Sequence, residues 1–218
     1  ESVINKVVSS SSDKAVSVED YSNTSIAVAN KVLPSVVGIT VTYSVNSPYY
    51  SYYGMSEGTA KATGSGVVIT DDGYVLTNNH VVSSSSSSSY YQVSKATKIT
   101  VTLYNDTTEY EAKLVGSDEQ TDLAVLKIEK TGLTAAELGD SSKVQVGEFA
   151  MAIGNPLNMA STVTTGVISA TNRTITSDNV TYKVIQTDAA INSGNSGGAL
   201  INADGKVQWF RSSFLKWT

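Results

Sequence analysis

The chain has no cysteine, which excludes disulfides and thiolate chemistry and is compatible with an extracytoplasmic home without establishing one. It has no apolar run near the roughly 18 to 20 residues that span a bilayer as a helix, so membrane anchoring would need a segment absent from this chain. Positive charge is sparse: 15 Lys and Arg against 20 Asp and Glu give a net charge of −5, and no basic cluster exceeds a residue or two. Nucleic acid is therefore not a charge-driven partner. Histidine occurs once, as His80. With no cysteine beside it, the usual zinc sets fall away and only an all-oxygen cation site stays open, so no metal and no cofactor is assigned. The chain starts at Glu1 rather than Met and reads as trimmed of any targeting segment.

What is present describes a folded protein. Hydrophobic residues make up 40% of 218, with 16 glycines besides, enough for one substantial core or two small ones. Residues 1–16 (ESVINKVVSSSSDKAV) are serine-rich and aperiodic and read as a flexible lead-in. From Ser17 the stretch SVED has the form of a capping box, and Ile26, Ala29 and Leu33 recur at helical spacing until Pro34. One short helix is expected there.

Ten strand-like runs follow: VVGITVTY, GSGVVIT, GYVLTN, KITVTLY, EYEAKLVG, DLAVLKI, EFAMAIG, VTTGVISA, TYKVIQT and GALIN. Asp72-Gly73, Asn105-Asp106 and Asp204-Gly205 supply hairpin signals between them. With no long helical pattern intervening, the class is all-β, a sandwich or a pair of antiparallel barrels. A tyrosine-rich segment (46–63) and a run of serines from Ser83 to Ser89 read as insertions on that scaffold.

The stretch INSGNSGGAL (191–200) surrounds Ser196 with glycine. A Walker loop would need Gly-Lys-Ser/Thr, which the chain lacks, and a dinucleotide fingerprint needs a βαβ setting. A nucleophile turn or a plain hairpin remains. Gly194-Asn195-Ser196-Gly197-Gly198 also fits the elbow of α/β-hydrolases, but there the histidine follows the serine, and none follows Ser196.

His80, in VLTNNHVV, is delivered to a turn by a strand and precedes both Asp122 and Ser196. The order His, Asp, Ser is that of chymotrypsin-like double barrels. Asp122 heads the apolar run DLAVLKI, which puts its carboxylate at the rim of a buried strand, within reach of an imidazole and shielded from water. The cleft between two barrels would hold the site.

Seven segments now resemble one family in order: LPSVVGI, GSGVVIT with GYVLTNNHVV, TDLAVLKI, LGDSSKVQVGE, AIGNP, TGVIS and QTDAAINSGNSGGALIN, together covering residues 33 to 207. The chain is identified by them as similar to the protease domain of the HtrA/Deg family of trypsin-like serine proteases. That resemblance implies two antiparallel six-stranded barrels after a short helix, with 17–134 holding the helix and first barrel and 135–218 the second. It implies His80 as general base, Asp122 as its orienting acid and Ser196 as nucleophile, with an oxyanion hole at Gly194, Asn195 and Ser196 built from the N–H groups of Gly194 and Ser196. The substrate pocket falls on Ala189, Ala190 and Ile191; with no carboxylate six residues before the serine, cleavage after small or medium aliphatic residues is expected. Asn195 stands where digestive relatives use an aspartate to order this loop, so activation would rest on loop rearrangement, in 46–63 or in 155–165.

The implied activity is ATP-independent cleavage of unfolded polypeptides in bacterial-type extracytoplasmic quality control, with a homotrimer as an implied assembly. Two departures stand against it. The end of the chain, KVQWFRSSFLKWT, places Trp209, Phe210, Phe214 and Trp217 where the family has small residues, and Asn158 replaces a common glycine. No residues are left for a PDZ module. A latent or inactive protease fold acting as a binding or chaperone-like module is the alternative.

Overall fold

The structure, a computed structural model, describes residues 18–46, 58–83, 92–155, 161–177, 180–191 and 195–208. The lead-in, most of the tyrosine-rich and serine segments, Asn158, Gly194 and the aromatic tail from Trp209 lie outside the described residues.

Each of the ten expected runs forms a strand: β1 (Val36–Asn46), β2 (Gly58–Val68), β3 (Tyr74–Asn78), β4 (Gln92–Thr102), β5 (Glu109–Asp118), β6 (Leu123–Ile128), β7 (Phe149–Gly154), β8 (Thr162–Ser177), β9 (Val180–Thr187) and β10 (Ala199–Ile201). Helix α1 (Val18–Val32) precedes them and gives way to a 3-10 turn, Leu33–Ser35, at Pro34. A single-turn helix, α2 (Asn79–Val82), follows β3 directly.

Strands β1 to β6 close an antiparallel barrel in the order β1-β2-β3-β6-β5-β4. Closure comes from β1, which pairs with β2 on one side (Val36 opposite Val67) and with β4 on the other (Gly38 opposite Thr102). The period of two shows plainly in β6: Ala124, Leu126 and Ile128 are buried while Leu123, Val125 and Lys127 are half-buried. Its inward residues join Val37, Ile39, Val41, Val75 and Val101 in the barrel core. Each such Val, Leu or Ile side chain contributes about 1.5–3 kcal/mol by leaving water.

The remaining strands form a second antiparallel sheet, a half-barrel ordered β10-β7-β8-β9. The all-β expectation therefore holds. A second apolar cluster seams the two halves: Val36 of β1 and Val67 of β2 meet Met151 and Ile153 of β7 and Ile201 of β10, with Val28 and Val32 of α1 laid against them. Strand β1 is thus buried on both faces. Helix α1 is tethered at its end by Lys31, whose Nζ lies 3.0 Å from Glu137 and donates to the Asp204 carbonyl at 2.9 Å. Lys31 holds the Glu137 carboxyl below the usual carboxylate range.

Three details differ from the sequence reading. Ile26 is 56% exposed, because the buried stripe of α1 runs through Val28 and Val32. Residues 58–63 belong to β2 rather than to a loop, pairing with β1 from Gly58 opposite Val45 to Thr63 opposite Thr40. Residues 163–165, which fall both at the start of the strand run VTTGVISA and at the end of the 155–165 loop, lie in β8, paired with β7. Thr59, Lys61, Ala62 and Thr63 are exposed, so no alternation of buried and open positions marked the outer end of β2 as a strand.

Candidate active site

The site begins with a turn between β5 and β6. Asp118 caps it: its carboxylate accepts from the Gln120 and Thr121 N–H groups at 3.1 Å each, and from the Thr121 hydroxyl. The Asp122 N–H closes the turn on the Glu119 carbonyl at 3.3 Å. Asp122 is left at φ 53, in the left-handed region, which Asp tolerates better than most residues. Such a conformation persists where the surroundings over-determine it, and here they do. The Asp122 carbonyl accepts from the Asn79 N–H at 2.9 Å and from Asn78 Nδ2 at 3.0 Å. Its Oδ1 accepts from the His80 N–H at 2.9 Å.

His80 sits on α2, two residues beyond the end of β3. Since Asn78 pairs with Leu123 across the β3–β6 ladder, the histidine and the acid leave neighbouring strands at the same level. His80 Nδ1 lies 2.8 Å from Asp122 Oδ2. An ionised carboxylate can only accept, so Nδ1 carries the proton and Nε2 of the neutral ring is left with its lone pair. The Asp122 side chain is 21% exposed and that of His80 47%, so the acid is shielded while the ring keeps one side open.

Ser196 arrives from the other half of the molecule, just ahead of β10. That strand is fixed in the second sheet by β7, with Ala199 opposite Ile153. The serine itself is seated on the first barrel. Its carbonyl accepts from the Ser65 N–H of β2 at 2.8 Å, and the next N–H, of Gly197, donates to Asn78 Oδ1 at 2.8 Å. Gly197 has φ 79, and a Cβ there would lie 2.2 Å from the Ser65 carbonyl oxygen and 2.3 Å from Thr77 Oγ1. Only glycine fits that approach. The structure thus brings His80 and Asp122 into direct contact and draws the Ser196 turn onto the strand end that carries them.

The other expected positions are distributed as follows. Gly194 lies outside the described residues. Asn195 is buried, accepts from the Gly198 N–H through its carbonyl at 2.8 Å, and has an Nδ2 with no partner among the described residues. Ala189 is buried and Ile191 packs against the same cluster as Ala150, Ala152, Ile168 and Leu200. Ala190 is the exposed one of the three, its carbonyl accepting from the Thr164 hydroxyl at 2.8 Å. The nearby Asp188 is engaged by the Val167 N–H, which donates to its Oδ1 at 2.7 Å.

Two residues of the site escaped the sequence reading. Ser65 joins three elements: besides meeting Ser196, its carbonyl accepts from the Thr77 hydroxyl at 2.7 Å and its Oγ from the Asn155 N–H at 2.8 Å. Asn78, in TNNH, bonds both Asp122 and Gly197. The only signal either offered was its place beside a motif residue.

Residues 64–208 match the trypsin-like peptidase domain family. The chain is 48% identical over 157 residues to a Haemophilus influenzae protein named as a probable periplasmic serine protease do/HhoA-like, covering 71% of this chain and 31% of that protein. It is 44% identical over 215 residues to the serine protease Do-like HtrB of Bacillus subtilis, covering 90% of this chain and 44% of that one. Among solved structures it resembles the HtrA-type protease AlgW with a decapeptide, at 37% identity and a TM-score of 0.66, over 83% of this chain and 56% of that one. The chain spans less than half the length of these two curated relatives.

Proposed function

Because the chain belongs to the HtrA/Deg family of trypsin-like serine proteases, we propose that it is an ATP-independent serine endopeptidase that degrades unfolded or misfolded proteins outside the cytoplasm. The observation that carries this reading is the His80–Asp122 pair, Nδ1 to Oδ2 at 2.8 Å, with the Ser196 turn bonded to the strand end that bears it. Relatives named as periplasmic support the location.

In this mechanism His80 Nε2 takes the Ser196 hydroxyl proton as Oγ bonds to the peptide carbonyl carbon. The tetrahedral oxyanion is stabilised by N–H groups of the 194–196 turn. Collapse breaks the C–N bond, and the imidazolium returns its proton to the leaving amine. Water then repeats the sequence on the acyl-enzyme, releasing the acid and restoring the serine. Asp122 keeps the proton on Nδ1 and stabilises the imidazolium, without itself being protonated.

The test is a fluorophosphonate probe and an unfolded substrate such as casein, without ATP. The expected result is casein cleavage together with one adduct, mapped by mass spectrometry to the peptide holding Ser196. A folded protein that takes no adduct and leaves casein intact overturns the reading, as does an adduct on another serine.

Cleavage after small or medium aliphatic residues is assigned to the absence of a carboxylate at Ala190, six residues before Ser196. A peptide library read by mass spectrometry should show Ala, Val and similar residues before the cut. A preference for Arg or Lys would refute the assignment.

A latent form of the same fold is the second reading, and Gln208 is the observation that favours it. This amide is buried, and its Oε1 has no partner among the described residues. It is the last described residue and precedes Trp209 in the sequence.

A further inference from the structure

We propose that Asn78 is a positioning residue for the hydrolysis: one side chain ties the backbone of the orienting acid to the residue after the nucleophile, and so registers the second sheet's serine against the first barrel's His–Asp pair. This rests on the protease reading above.

Asn78 is 3% exposed and ends β3, two residues before His80. Its Nδ2 donates to the Asp122 carbonyl at 3.0 Å, and its Oδ1 accepts from the Gly197 N–H at 2.8 Å. The two partners fix which way the amide points, because a carbonyl can only accept and an N–H only donate. A side chain at this position must therefore offer one donor and one acceptor about 2.2 Å apart on a short stem, which among the common side chains is what asparagine does.

The two bonds are not equivalent. The Asp122 carbonyl has a second donor, the Asn79 N–H at 2.9 Å, and the carboxylate is held to the His80 N–H and Nδ1. Asp122 and His80 would stay together without Asn78. The Gly197 N–H has Asn78 as its partner, and among the described residues the other bond that draws the serine turn to the first barrel is the one the Ser196 carbonyl accepts from Ser65. Removing the Asn78 side chain frees one side of the serine turn, and an error of about 1 Å in such placement can lower turnover by about 10²-fold.

The experiment compares the parent with Asn78→Ala and Asn78→Asp, reading peptide turnover, the rate of fluorophosphonate labelling, Gly197 amide exchange by NMR and the imidazole resonances. The chain has one histidine, so every imidazole signal is that of His80. In Asn78→Ala, labelling and kcat should fall about 10- to 100-fold with KM moved less than about threefold. Gly197 should exchange at least about tenfold faster as its buried bond is lost, while the His80 Nδ1–H signal remains. Asn78→Asp keeps the size and the acceptor for Gly197 but sets a carboxylate oxygen against the Asp122 carbonyl, so labelling should slow with Gly197 still protected. Labelling within about twofold of the parent in both variants, or loss of the His80 signal together with the rest of the folded spectrum, overturns the proposal. If the parent itself takes no label, the protease reading fails. Gly197 exchange then still decides the tie: unchanged exchange in Asn78→Ala overturns it, and faster exchange upholds it.

Discussion

Replacing Ser196 by alanine should lower casein and peptide cleavage by at least about 10⁴-fold and abolish fluorophosphonate labelling, while the melting temperature stays near that of the parent. The size follows from what the hydroxyl does: without Oγ there is no acyl-enzyme, and the residue left after such a deletion is what binding and the oxyanion site give by themselves. The intact fold follows from how the serine turn is seated. The bonds that hold it run through the backbone, the Ser196 carbonyl to Ser65 and the Gly197 N–H to Asn78, and alanine keeps both. Circular dichroism and a thermal melt beside the activity assay separate the two effects. Activity surviving in the variant would place the nucleophile elsewhere.

Asp122→Asn should be nearly as damaging, at about 10⁴-fold in kcat, for a reason visible in the two bonds its carboxylate accepts. Oδ1 receives the His80 backbone N–H at 2.9 Å and Oδ2 faces Nδ1 at 2.8 Å. An amide has only one acceptor. The backbone N–H cannot become an acceptor, so the amide oxygen goes to it and the NH₂ is turned toward Nδ1. The ring must then accept at Nδ1 and carry its proton on Nε2, the nitrogen that should receive the serine proton. Nitrogen-15 NMR of the single histidine reads this directly: the Nδ1–H of the parent should be replaced by an Nε2–H. A variant with the parent's tautomer and nearly full activity would remove Asp122 from the mechanism.

Much of this architecture could be read from the residues, and the parts that could not have a common cause. The ten strands announced themselves because the period of two is written wherever one face is buried, as in LAVLKI. The outer end of β2 lacks that contrast. The arm of β2 from Thr59 to Thr63 is largely open to solvent, and its pairing depends on the partner strand rather than on its own pattern. The His80–Asp122 contact was legible as an order of residue types ahead of an apolar strand. Asn78 was not, since an asparagine before a turn has an ordinary explanation, and its partners stand 44 and 119 residues away in the chain. Ile26 misled because a stripe three and four residues apart can be drawn through either side of Val28. Only the Met151 and Ile201 surface decides between them.

The seating of the serine turn also sets a timetable. His80 and Asp122 lie in a barrel that can close with residues up to Ile128, whereas Ser196 precedes β10, the last strand described, and must come back to β2 and β3 to be held. Contacts so distant in the chain are the slow ones to form, because the intervening segment has to be ordered before they repay its ordering. A ribosome would release the proposed base and acid long before the proposed nucleophile, and a half-folded molecule would hold His80 and Asp122 in place without Ser196. On the proposed protease reading, such a chain would have no cutting power until the serine turn is seated.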